Sequence, residues 1–314
     1  MERVSITGVG SYLPKKSLDN TTLPPLDKPV SDEDKARVGV FARGWAEGEE
    51  TIPFMAAEAA RRALEKANVA AEDLDMLVLS NWTQRRYLPD FAPKVQALLG
   101  AHRAFAYDVG CACAGFVYGV GMVHGFMQAQ RVRRALVVAA ETTSQRGRPA
   151  SKSTLVFGDG AGAFVLERGS DRGATLVDFE LATDGRHFEA MEINDAGHVV
   201  THIDQKQLIH LATKSFADMT KAVLDRNGLS LKDVRWIVPH SGTAGVQAAL
   251  LKTLDVPADK VLTNFATVGN TSSAAIPIAL DHFLRQGTIK PGDLVLSPTT
   301  GSGWYAAAML YRAG

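Results

Sequence analysis

The sequence predicts an α/β protein built from two similar halves, and three observations carry that prediction. Helix-period segments alternate with short β-branched runs, the central runs are apolar on both faces, and one helix–turn–strand unit recurs 160 residues downstream. Helical periodicity covers residues 53–67 and 91–99, and strand character covers 74–79 and 105–109. The run Ala135-Leu136-Val137-Val138-Ala139-Ala140 offers no polar face, as expected of a strand covered by helices on both sides.

The repeat is the most informative feature. Ala63-Leu64-Glu65-Lys66-Ala67-Asn68-Val69 leads into the strand Met76-Leu77-Val78-Leu79-Ser80, and Val223-Leu224-Asp225-Arg226-Asn227-Gly228-Leu229 leads likewise into Trp236-Ile237-Val238-Pro239-His240. The same offset lays Gly110-Cys111-Ala112-Cys113-Ala114 over Asn270-Thr271-Ser272-Ser273-Ala274, two small-residue turns that each open an apolar helix. Close to that offset, Leu136-Val137-Val138 matches Leu294-Val295-Leu296. Three matches in order imply a duplicated unit, with halves 1–170 and 171–314 joined near Arg168-Gly169-Ser170-Asp171-Arg172-Gly173. A pseudo-twofold axis between them would bring the turns carrying Cys113, His240 and Asn270 to one place.

Composition excludes several classes of function. With 46% hydrophobic and 22% charged residues in 314, the chain is globular, and 34 basic against 34 acidic residues leave no field to attract a nucleic-acid backbone. Cys111 and Cys113 stand too close together to bridge without strain and have no second Cys/His pair at metal-ligand spacing, so neither a disulfide framework nor zinc is expected. No basic leader precedes an apolar stretch, and no ~18-residue apolar run occurs, which reads as a cytoplasmic protein, neither exported nor membrane-spanning.

Cys113 follows the strand 105–109 and opens a helix-like stretch, 114–130. The positive end of a helix macrodipole lowers a thiol pKa, so Cys113 is a candidate nucleophile; the alternative is a buried structural cysteine among small residues. His240 ends a buried strand, where Pro239 marks the exit, and it faces the loop layer in which α/β proteins build their sites. Asn270 reads either as the cap of the helix over 273–285 or as an amide donor into a site. Gly158-Asp159-Gly160-Ala161-Gly162-Ala163 lacks phosphate-loop spacing and reads as a tight strand–turn–strand. Gly301-Ser302-Gly303 is a flexible turn able to present backbone N–H groups to an oxyanion.

Taken together, Tyr107-Asp108-Val109-Gly110-Cys111-Ala112-Cys113-Ala114-Gly115-Phe116, Phe157-Gly158-Asp159-Gly160-Ala161-Gly162-Ala163, Val238-Pro239-His240, Val268-Gly269-Asn270-Thr271-Ser272 and Gly301-Ser302-Gly303-Trp304 resemble the β-ketoacyl-acyl-carrier-protein synthase III family, collinearly from the first strand to the last. The resemblance implies a thiolase-like, five-layered αβαβα fold of two pseudo-twofold-related halves, in a homodimer. It implies an acyltransferase of fatty-acid or polyketide-type metabolism that uses an acyl thioester, on coenzyme A or acyl carrier protein, with no permanently bound cofactor. Cys113 would take the acyl group, His240 and Asn270 would stabilise the enolate formed when malonyl carrier protein loses its carboxylate, and the backbone N–H of Cys113 with one from Gly301, Ser302 or Gly303 would hold the oxyanion.

The chain departs from the family at the thioester entrance. The usual adenine-stacking Trp and its partner Arg are replaced by Glu33 and Ser151, leaving Arg37 and Lys152 as candidate contacts for coenzyme A. After His240 the chain runs Ser241-Gly242-Thr243 in place of the usual Gln-Ala-Asn, and Lys214 and Lys252 are candidate contacts for an acidic carrier protein, against a default of solvated lysines. These departures motivate a second reading, an acyltransferase that passes the Cys113 acyl group to an alcohol, amine or thiol without decarboxylation. A third is a non-catalytic partner subunit. Acyl-chain selection would depend on side chains such as Tyr87, Leu88 and Phe91.

Overall fold

The computed structural model describes residues 2–86 and 88–314. The first half runs β1 (Val4–Tyr12), β2 (Ser17–Asp19), α1 (Asp32–Val38), β3 (Ala42–Gly44), α2 (Ile52–Ala67), β4 (Met76–Ser80), α3 (Ala92–Leu99), β5 (Phe105–Val109), α4 (Gly115–Gln128), β6 (Arg134–Thr142) and β7 (Asp159–Arg168). The second runs β8 (Ala174–Thr183), β9 (Met191–Ile193), β10 (Val199–Thr201), α5 (Gln205–Arg226), β11 (Trp236–Ile237), α6 (Ala244–Leu254), α7 (Phe265–Val268), α8 (Ala275–Arg285), β12 (Leu294–Gly301) and β13 (Tyr305–Arg312).

The duplication visible in the sequence is a duplication of topology. The first sheet has the order β5-β4-β6-β7-β1; the second continues as β8-β13-β12-β11, the same succession of parallel and antiparallel pairs. Where the first half has β5, the second has a parallel bridge from Ile237 to Val261. The sheets meet through a two-residue ladder, Ser5 with Thr175 and Ile6 with Ala174.

Three apolar clusters fill the gaps between layers. One, around Val117, Val120, Ile276, Ile278, Val295 and Met309, packs α4 and α8 between the two sheets. A second lies between the first sheet and α2 with α3, and a third between the second sheet and α5. The stack is therefore αβαβα, with α4 and α8 as its central layer. Those helices are rich in Gly, Ala and aliphatic residues because the sheets pack on them from both sides, though α4 leaves Met122 and Phe126 exposed towards its C-terminal end.

One expectation is corrected here. Residues 158–163 are not a strand–turn–strand; Asp159–Arg168 is a single continuous strand, β7. Its glycines answer to packing, since a Cβ on Gly162 would lie 2.7 Å from the Pro277 ring of α8. Among the described residues no helix is long and apolar enough to cross a membrane.

Candidate active site

The Cys113 turn is built from strained backbone. Cys111 and Ala112 both adopt left-handed conformations, with φ of 76° and 45°, before the one-turn 3-10 helix Ala112–Ala114 runs into α4. Left-handed geometry costs an ordinary residue about 1–2 kcal/mol and persists where the surroundings over-determine it. The second half repeats the device, with Ser272 at φ 52° in the turn that opens α8. A pseudo-twofold relation sets the two turns head to head. Ser272 Oγ lies 3.0 Å from Cys113 Sγ.

Asn270 holds that arrangement. Its side-chain Oδ1 accepts the Ser272 backbone N–H at 2.9 Å, and its own carbonyl accepts from Thr143 Oγ1 at 2.8 Å. The side chain therefore caps the turn before α8 with its oxygen, rather than the helix itself, whose N-cap is Ala274, and the amide N–H₂ makes no hydrogen bond among the described residues. His240 continues past β11 alongside β12, its backbone N–H donating to the Pro298 carbonyl at 3.1 Å. One residue further along β12, Thr299 Oγ1 donates to the Cys113 carbonyl at 3.2 Å. His240 and Asn270 line one small cleft with Gly242 and Ala275.

The electrostatics of Cys113 correct a second expectation. The helix end was expected to lower its pKa, but burial pushes the thiol up to about 12; the Ser272 hydroxyl pulls the other way, while the buried Glu141 carboxylate adds to the rise. Desolvation outweighs the helix end because protein atoms crowd the sulfur, although the residue keeps some surface exposed. Burial also pushes Glu141 up to about 7 and holds His240 down at about 4, so its imidazole is neutral at pH 7. A neutral imidazole retains one N–H donor. Its Nδ1 is buried without a hydrogen-bond partner. Burial raises the Cys111 thiol as well.

The remaining sequence candidates divide. A Cβ on Gly301 would sit 2.7 Å from the Cys113 backbone nitrogen, so only glycine allows this strand to abut the turn. Ser302 instead donates its hydroxyl to the Met191 carbonyl, and Gly303 turns beneath the Tyr305 ring. Arg37 is exposed and pairs with Glu33 at 2.8 Å and Asp34 at 3.5 Å; Lys152 pairs with the same Asp34. Lys214, on α5, pairs with Asp218, and Lys252, on α6, is exposed. Leu88 is 87% exposed and Phe91 packs on the outer cluster beneath α2, so neither reaches the Cys113 turn from its own half; Tyr87 lies outside the described residues.

Sequence reasoning missed two groups. Glu141, at the end of β6, reads in sequence as an ordinary strand-end carboxylate, yet it accepts from Thr83 Oγ1 at 2.8 Å and from Ser273 Oγ. Trp82 donates its indole N–H to Ser272 Oγ at 2.6 Å. Each pairing spans more than fifty residues, and no local spacing marks it.

Duplicated halves in a five-layer stack, with a cysteine turn facing its counterpart across the pseudo-twofold, define a thiolase-like acyltransferase. Family models of 3-oxoacyl-[acyl-carrier-protein] synthase III match residues 107–185, and of its C-terminal part residues 224–313. A β-ketoacyl-[acyl-carrier-protein] synthase III of Aquifex aeolicus is 34% identical over 98% of this chain and 98% of its own. The crystal structure of the 3-oxoacyl-[acyl-carrier-protein] synthase III from that organism superposes with a TM-score of 0.92, covering 98% of this chain and 99% of the other. The corresponding synthase of Pseudomonas aeruginosa gives 0.91 at 36% identity, with 99% and 98% covered. A priming β-ketosynthase from a polyketide pathway gives 0.90 at 28%, with 99% and 97% covered. The chain belongs to the β-ketoacyl-acyl-carrier-protein synthase III family.

Proposed function

We propose that this chain carries out a decarboxylative Claisen condensation with Cys113 as nucleophile and His240 and Asn270 as its partners, for fatty-acid or polyketide-type metabolism. An acyl thioester on coenzyme A or acyl carrier protein transfers its acyl group to Cys113 Sγ, releasing the carrier thiol. Malonyl carrier protein then loses carbon dioxide. The enolate oxygen takes hydrogen bonds from the neutral His240 imidazole and the free Asn270 amide, and the enolate carbon attacks the acyl carbonyl, expelling the Cys113 thiolate. The backbone N–H of Cys113 and one from the Gly301–Gly303 turn hold the oxyanion, with Gly301 favoured by its approach to Cys113. No resident cofactor enters this scheme.

The observation that carries the reading is the chain of contacts from Cys113 Sγ through Ser272 to the Asn270 side chain, which ties the thiol of one half to the amide of the other. Incubation with an acyl thioester and malonyl carrier protein is expected to release carbon dioxide and form a β-ketoacyl product two carbons longer. An acyl ester or amide formed without carbon dioxide would overturn condensation in favour of simple acyl transfer. Absence of any acyl adduct would leave a non-catalytic subunit.

Two halves, 1–170 and 171–314, are proposed as the duplicated units. Arg37 and Lys152 are proposed to contact the phosphates of the incoming thioester by exchanging Asp34 for them, and Lys214 and Lys252 to meet the acidic carrier. Two cysteines that are both free fit a reducing compartment, which favours the cytoplasm.

A homodimer is proposed through β5. This strand ends its sheet, and beside it Phe105 and Phe126, 45% and 39% exposed, meet with tilted rings 5.7 Å apart, and Met122 is exposed on α4. An open strand edge next to an apolar patch is a template for a second copy. Phe105→Asp is expected to shift the sedimentation coefficient from dimer to monomer; an unchanged dimer would place the interface elsewhere.

A further inference from the structure

Trp82 makes a hydrogen bond that the condensation scheme does not use. Its indole Nε1–H donates at 2.6 Å to Ser272 Oγ, the same oxygen that lies 3.0 Å from Cys113 Sγ. A hydroxyl has one proton and two acceptor lone pairs. Once the indole N–H occupies a lone pair, the hydroxyl proton is left for the sulfur. We infer that Trp82 is a positioning residue whose indole N–H locks the Ser272 hydroxyl so that its proton points at Cys113 Sγ and stabilises the thiolate. Ser272, which touches the reacting atom, is then itself a catalytic residue. The inference rests on Cys113 as the nucleophile.

The surroundings keep this relay in place. Glu141 Oε2 accepts the backbone N–H groups of Trp82 and Thr83, at 3.3 and 3.2 Å, and the Thr83 hydroxyl at 2.8 Å, while its Oε1 accepts from Ser273. One buried carboxylate thus clamps the Trp82 loop to the Ser272 turn. The clamp and the Asn270 side chain together hold Ser272 in its left-handed conformation. The titratable groups of the site are Glu141 from β6, which acts on the sulfur, Cys111 on the same turn, and His240 from the loop after β11, which lines the cleft beside Asn270. Glu141 opposes ionisation of the thiol and His240 is neutral, so no titratable group stabilises the anion; the Ser272 hydroxyl does so, ahead of the Cys113 backbone N–H.

The test is the rate of iodoacetamide alkylation at Cys113 in the full chain, followed by peptide mass spectrometry at about pH 9, where the rate is proportional to the thiolate fraction. Ser272→Ala is expected to lower this rate about tenfold, and Trp82→Phe, which keeps a ring and deletes the donor, about threefold. Ser272→Ala combined with Trp82→Phe is expected to match Ser272→Ala alone, because both act through one proton. A benzothienyl-alanine at position 82, with the same bicycle and no N–H, is expected to reproduce Trp82→Phe and serves if that variant does not fold. An unchanged rate in both position-82 variants, or losses that multiply in the double variant, overturns the relay. Alkylation that bypasses Cys113 in the parent chain overturns the nucleophile assignment and the relay with it.

Discussion

Cys113→Ala is expected to abolish acyl-enzyme formation and to cut condensation by about 10⁴-fold or more, the scale on which removal of a covalent nucleophile acts, while leaving the fold intact. The side chain lost is small, and the turn is held by other groups: the Thr299 hydroxyl on the Cys113 carbonyl, and the 3-10 bond from Ala114 N–H to the Cys111 carbonyl at 3.0 Å. Ser272 loses an acceptor but keeps the Trp82 indole and the Asn270 side chain, so the cost in stability stays within the ~1–3 kcal/mol of one unsatisfied buried polar group. Intact-mass measurement after exposure to an acyl thioester, with a thermal melt alongside, reads both effects. An adduct that persists would move the nucleophile to Cys111. That thiol is also raised by burial.

Asn270→Ala is expected to separate the two half-reactions. Decarboxylation of malonyl carrier protein should slow by about 10²–10³-fold, as for the loss of one donor to a developing oxyanion. Acylation of Cys113 should fall by less than about tenfold, through loosening of the Ser272 turn when the Oδ1 cap worth ~1 kcal/mol is removed. Single-turnover acylation and carbon dioxide release, measured on the same preparation, distinguish the steps. Equal losses in both would make Asn270 a structural cap alone, a role its hydrogen bond to Ser272 N–H is sufficient to explain.

Much of the site was legible because its parts are written locally. Gly110-Cys111-Ala112-Cys113 and Asn270-Thr271-Ser272-Ser273 are aligned by the repeat, and the structure gives both turns a left-handed residue at the same place, Ala112 and Ser272. Pro239 marked the exit of its strand as expected, and the two small-residue turns each open an apolar helix, α4 and α8. The reading of residues 158–163 failed because glycine has two uses. It permits a turn, and it also permits close approach within a strand; which applies at Gly162 depends on Pro277, more than a hundred residues away.

By itself the sequence determined the α/β class, the twofold internal repeat and the turns on which Cys113, His240 and Asn270 sit, since periodicity, repeat spacing and small-residue turns are properties of neighbouring residues. Tertiary structure alone decided the protonation of the site and the company of the sulfur. Desolvation drives the Cys113 thiol up against the pull of its helix end, Glu141 is buried beside it, and Trp82 reaches Ser272 across the molecule. Burial and hydrogen bonding between distant segments come into being only when the two halves close on each other, so no stretch of the chain carries them alone.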